Sequence, residues 1–109
     1  MGALCVLPDG RLASGSDDRT IRLWDLTTST ESACLEGHTG SVFALCVMPN
    51  GRLVSGSYDK TIRLWDVAAQ RELTRLDVDT AVHCLAILAE ARLVAGDRLG
   101  LLHWLEILY

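Results

Sequence analysis

His38, Ser55 and Asp59 are the residue types of a hydrolytic triad, and they lie within 22 positions of one another in this 109-residue chain. A serine nucleophile needs an imidazole to take its proton, a carboxylate to orient that imidazole and donors for the oxyanion, at one exposed place. Asp25 and Asp66 are further candidates for acid–base work, and His83 beside Cys84 suggests a metal. These readings fail on arrangement. Ser14, Asp18 and Asp25 stand 41 positions before Ser55, Asp59 and Asp66, so the set belongs to a repeating unit and reads as internal bracing. Asp25 and Asp66 read as structural carboxylates at strand ends. Adjacent strand residues point to opposite faces, which separates His83 from Cys84. No catalytic residue, metal or cofactor is expected.

The four cysteines are Cys5, Cys34, Cys46 and Cys84. None forms a C-x-x-C pair, and no paired histidine spacing accompanies them. Cys5 and Cys46 occupy one repeat position inside apolar runs. All four read as small buried thiols.

The elements that must position these residues are strands. Gly51–Asp66, GRLVSGSYDKTIRLWD, holds an alternating strand at Arg52–Ser57, turn chemistry at Tyr58–Lys60 and a β-branched strand at Thr61–Asp66. Gly10–Asp25 repeats it 41 positions earlier, and Leu4–Leu26 matches Leu45–Val67 at 17 of 23 positions without a gap. Self-similarity at this period is settled before any single residue, because it fixes the fold. Pro8-Asp9-Gly10 and Pro49-Asn50-Gly51 signal tight turns needing positive φ. A polar linker at Leu26–Ser32 leads to a fourth strand at Ala33–Glu36. A looser third copy takes Arg71–Leu76 as its linking strand, then Val82–Leu88, Arg92–Gly96 and Leu101–Leu108. On its gap-free register Leu105-Glu106, not Trp104, stands where Trp65-Asp66 does. The expectation is eleven strands: two sets of four and one of three.

Gly37-His38, about 27 residues before Trp65-Asp66, with Ser55-Gly56-Ser57 and Asp59 between, resembles the WD-repeat (WD40-type) family of β-propellers over essentially the whole chain. The ending GDRLGLLHWLEIL is similar to the closing repeat of some bacterial WD-repeat proteins. The resemblance implies an all-β propeller segment of just under three four-stranded antiparallel blades. Blade 1 would span about 1–37, blade 2 about 38–77 and a degenerate blade 3 about 78–109. It also implies a hydrogen-bonded chain through Trp65, Ser55, His38 and Asp59, and through Trp24, Ser14 and Asp18 in the first copy. Both faces of Thr61–Asp66 read as largely apolar, as if each is covered by a neighbouring blade. In the third copy Val78, Ala95, Leu99 and Leu105 replace the His, Ser, Asp and Trp. Losing every partner together is the inexpensive way to lose such a network.

Members of this family usually serve as non-catalytic platforms, and partners commonly dock on one rim. The matching positions are Ser41, Phe43 and Tyr58, His83 and Arg98, and Asp18. Aromatic residues and arginine carry a disproportionate share of interface energy. The formal net charge of −4, with Lys and Arg scattered, disfavours nucleic acid or an anionic membrane as partner. The longest apolar runs fall far short of a membrane span, and no secretory signal pattern is present. A cytoplasmic protein that binds proteins or peptides is the expectation. Closed propellers have about four to eight blades, so the chain is expected to belong to a larger propeller or to assemble as a homo-oligomer. The alternative to a scaffold is thus a self-assembling ring with no dedicated partner. A sugar-binding or enzymatic propeller would need a polar rim cluster that breaks the repeat, and none is visible.

Overall fold

Repeated turns cut the chain into short antiparallel strands. The computed structural model describes residues 3–48, 51–78, 81–89, 92–97 and 102–106. The first sheet is β1 (Ala3–Val6), β2 (Leu12–Gly15), β3 (Ile21–Asp25) and β4 (Thr30–Leu35), in that order. The second is β5 (Val42–Val47), β6 (Leu53–Ser57), β7 (Thr61–Asp66) and β8 (Arg71–Asp77). The third pairs β9 (Cys84–Ala89) with β10 (Arg92–Gly96) and β10 with β11 (Leu102–Glu106). This is an all-β propeller segment.

The turns share one device. The Gly10 amide donates to the Leu7 carbonyl at 2.9 Å and the Lys60 amide to the Ser57 carbonyl at 3.3 Å. The closing residue adopts positive φ, at 92° for Gly10, 89° for Gly51, 75° for Arg19 and 68° for Lys60. At Pro8-Asp9-Gly10 positive φ is thus confined to the glycine, the geometry of a turn ending in a bulge. The fourth strand runs Thr30–Leu35, not Ala33–Glu36. Its polar start pairs with Asp25 and Trp24 around a register shift. It is a sheet edge, where backbone pairing does not require apolar alternation.

Sheets stack through their faces. Ala13, Ile21, Leu23 and Leu35 of the first sheet meet Leu53 and Trp65 of the second. Val54, Ile62 and Leu64, on the second sheet's other face, meet Val82 and Ala95. Each fully buried aliphatic side chain contributes about 1.5–3 kcal/mol by leaving water. At both joints a valine amide donates across to a serine carbonyl at 3.0 Å, Val42 to Ser16 and Val82 to Ser57. Gly15 and Gly56 leave space for those valines. A β-carbon on Gly15 would lie 2.6 Å from Val42 Cγ1.

Two cysteines depart from the buried-thiol reading: Cys34 and Cys84 are exposed, and all four are free. Cys34 stands on the edge strand β4. Cys84 Sγ lies over Gly96 on the third sheet's outer face. Cys5 and Cys46 are half-buried, and burial pushes the Cys46 thiol up to about 12.

Candidate functional site

The triad-type residues meet inside the second sheet, as a relay whose serine, histidine and tryptophan are buried. The loop between β4 and β5 lays His38 over the face that carries Ser55 on β6 and Trp65 on β7. Trp65 Nε1–H donates to Ser55 Oγ at 2.7 Å, and Ser55 Oγ lies 2.6 Å from His38 Nε2. His38 Nδ1 lies 2.9 Å from Asp59 Oδ2. One assignment satisfies every atom: the serine hydroxyl donates to Nε2, and Nδ1–H donates to the carboxylate. Asp59 also accepts from the amides of Thr39 and Thr61, both at 2.9 Å. Ser55 is 0 % exposed and Trp65 1 %. A nucleophile so placed cannot reach a substrate.

Burial pushes the His38 pKa down against the opposing pull of Asp59, with a net lowering. Burial alone would raise Asp59. Bonds from Thr61, the Thr39 amide and His38 together outweigh it, so its carboxyl sits below the ordinary value. Both groups therefore hold their neutral-pH forms: imidazole and carboxylate.

The network extends further than the expected four residues. Arg63 Nε donates to Thr61 Oγ1 at 3.1 Å and Nη1 to Glu72 Oε1 at 2.7 Å, while Nη2 lies 3.6 Å from Asp59. The face of β7 toward the first sheet is therefore buried but mixed, two of its three inward residues being polar. Ser57, 0 % exposed, donates to the carbonyls of Gly40 and Ser41 at 3.0 and 2.8 Å. The signal for Arg63 was its alternation with Thr61 and Trp65. For Ser57 it was identity with Ser16.

The first sheet holds the same pieces without the join. Trp24 Nε1–H donates to Ser14 Oγ at 2.8 Å. Asp18 is bound separately, accepting from Thr20 Oγ1 at 2.5 Å and Arg22 Nη2 at 2.8 Å. The Thr20 hydroxyl and amide, followed by Arg22 and Ser16, hold Asp18 down at about 2. Among the described residues no histidine bridges Ser14 and Asp18. In the third sheet Ala95 packs in the apolar joint where Ser55 would stand. Leu93 pairs with Leu105 as Leu53 pairs with Trp65. Leu99 and Arg98 lie outside the described residues.

The other expected residues gather at the end of the sheets where β5, β7 and β9 begin. The Tyr58 amide donates to the Ser41 carbonyl at 2.9 Å. Phe43 stacks on His83 across the joint, with centroids 5.0 Å apart and planes at 8°. Tyr58 meets the same Phe43 edge-on at 5.8 Å. Tyr58 is 52 % exposed. Among the described residues His83 Nε2 is the one buried side-chain nitrogen or oxygen without a hydrogen-bond partner. Phe43 thus bridges Tyr58 on the β6–β7 turn and His83 across the joint. Asp18 sits on the neighbouring turn. No group of three or more metal-ligating side chains is found among the described residues.

Known proteins share this architecture. The family described as WD40, "WD domain, G-beta repeat", matches residues 2–25 and 29–66. The solved structure of U3-55K superposes with a TM-score of 0.85 at 26% identity, over 95% of this chain and 33% of that one. The RRP9 WD40 repeats give the same values. The WD40 β-propeller domain of Doa1 gives 0.85 at 25% identity, over 94% of this chain and 35% of that one. The chain thus spans about a third of the length of these propellers. With its two matched repeats and its relay of Trp65, Ser55, His38 and Asp59, the chain belongs to the WD40-repeat family.

Proposed function

We propose that the chain acts as a non-catalytic scaffold for proteins or peptides, working in the cytoplasm without a cofactor. The observation that carries this reading is the aromatic group of Tyr58, Phe43 and His83 at the joint of two blades. Exposed aromatic surface beside a polar atom that lacks a partner is the composition of an interaction hot spot. Ser41, Asp18 and Arg98 are proposed to complete the rim. Catalysis has no support in the buried triad-type residues, and the net charge of −4 disfavours a nucleic-acid or membrane partner.

Affinity capture from the source cell, comparing the wild type with Tyr58→Ala, tests the scaffold reading. Tyr58 is half exposed, so the variant should keep its thermal midpoint and lose its bound proteins. An unchanged set of bound proteins contradicts the rim.

A second reading, a homo-oligomeric ring, is favoured by the apolar outer face of the first sheet, where Leu4, Val6 and Leu26 are exposed. Light scattering of the isolated chain separates the two: a stable closed oligomer supports the ring.

A further inference from the structure

The apolar outer face also says what should cover it, an inference that rests on the ring reading above. Leu4 is 70 % exposed, Val6 66 % and Leu26 56 %. Leu4 and Leu26, with Leu12, Ser14 and Trp24, line a groove of about 380 Å³, and Val6 stands exposed on the same strand as Leu4. Forty-one positions later stand Leu45, Val47, Leu53, Trp65 and Val67. All five of those pack in the joint against Ala13, Ile21, Leu23 and Leu35, the opposite face of a sibling sheet. A face built from the same residues calls for the same kind of cover. Among the described residues, one such opposite face carries an exposed large apolar residue, that of the third sheet. There Leu102, 56 % exposed, pairs with Gly96 as Ile21 pairs with Gly15 and Ile62 with Gly56.

We infer that two copies of this chain join head to tail. The first sheet's outer face in each copy lies on the third sheet's outer face in the other. Two copies supply six sheets, inside the range of about four to eight that closed propellers use, whereas three copies would overshoot it. Head-to-tail contacts close into a ring when the rotation allows. The new joint differs from the internal ones at one point. Gly15 and Gly56 receive a valine from the next sheet, but Cys84 already lies over Gly96. The joint therefore rests on the broad sheet faces.

Sedimentation equilibrium of the 109-residue chain at several concentrations should give twice 11.9 kDa. Leu4→Lys combined with Val6→Lys blocks one face, and Leu102→Lys blocks the other. All three side chains are exposed, and circular dichroism checks that each variant keeps its strands. Each variant alone should be monomeric, while an equimolar mixture should form a heterodimer through its one intact joint. A wild-type chain monomeric throughout overturns both the ring reading and this inference. A Leu102→Lys variant that still dimerises overturns the head-to-tail pairing but leaves self-assembly standing. A stable wild-type trimer overturns the two-copy ring.

Discussion

The repeat supplies its own control for the buried relay. Ser55→Ala and Ser14→Ala are the same substitution at equivalent positions in two sheets, both removing a hydroxyl that accepts a tryptophan N–H. Ser55→Ala strands two groups, Trp65 Nε1–H and His38 Nε2, in a buried site. Each unsatisfied buried group costs about 1–3 kcal/mol, giving about 2–6 kcal/mol together. Ser14→Ala strands only Trp24 Nε1–H, which is half-buried beside an open groove where water can replace the lost acceptor. Its cost should be about the net value of one ordinary hydrogen bond, 0.5–1.5 kcal/mol. Urea unfolding, read by tryptophan fluorescence and circular dichroism at concentrations where the chain is monomeric, yields both numbers. Equal losses would refute the reasoning, because the relay through His38 would then add nothing.

Four further outcomes follow from the same geometry. Because folded His38 binds protons less readily than the unfolded chain, stability should be full above its ordinary value of 6.5 and fall as the pH drops below it. Asp59, held below 3.8, adds a second loss as the pH falls through that region; a thermal midpoint flat down to about pH 5 contradicts the first of these. Gly56→Ala drives a β-carbon into Val82 and should cost about 1–3 kcal/mol in unfolding free energy. Lys60→Gly relieves an exposed residue of positive φ and should stabilise by about 0.5–1 kcal/mol, seen as a raised urea midpoint. At concentrations where the chain is monomeric, a thiol reagent should modify Cys34 and Cys84 rapidly and Cys46 slowly, as peptide mapping would show.

The fold was legible because two copies say the same thing. Alternation, turn residues and the Trp-Asp ends agree 41 positions apart, and Thr61–Asp66 and Arg92–Gly96 fall where the pattern puts them. The start of β4 was hidden because Thr30 and Glu31 pair with Asp25 and Trp24 on an exposed edge, where side chains carry little periodic signal. A register shift just after them leaves Ser32 without a register partner. Cys34 and Cys84 misled for a related reason: an apolar neighbourhood does not reveal whether the next sheet covers that face. The relay was implied by the family resemblance that Gly37-His38, Ser55, Asp59 and Trp65 carry, but its extension through Arg63 and Glu72 was not. Each of those is an ordinary surface residue until a loop closes over it, as the exposed Arg22–Glu31 pair shows at 2.9 Å. Phe43 against His83 was least legible, since it depends on how two sheets are turned relative to each other.

The central claim is that His38 is a neutral structural link between Ser55 and Asp59. Nitrogen-detected NMR of the imidazole near neutral pH tests it directly, together with hydrogen exchange at Trp65 Nε1. The account predicts protonated Nδ1, unprotonated Nε2 and an indole proton that exchanges only on unfolding. A doubly protonated ring, the opposite tautomer or rapid indole exchange would contradict it.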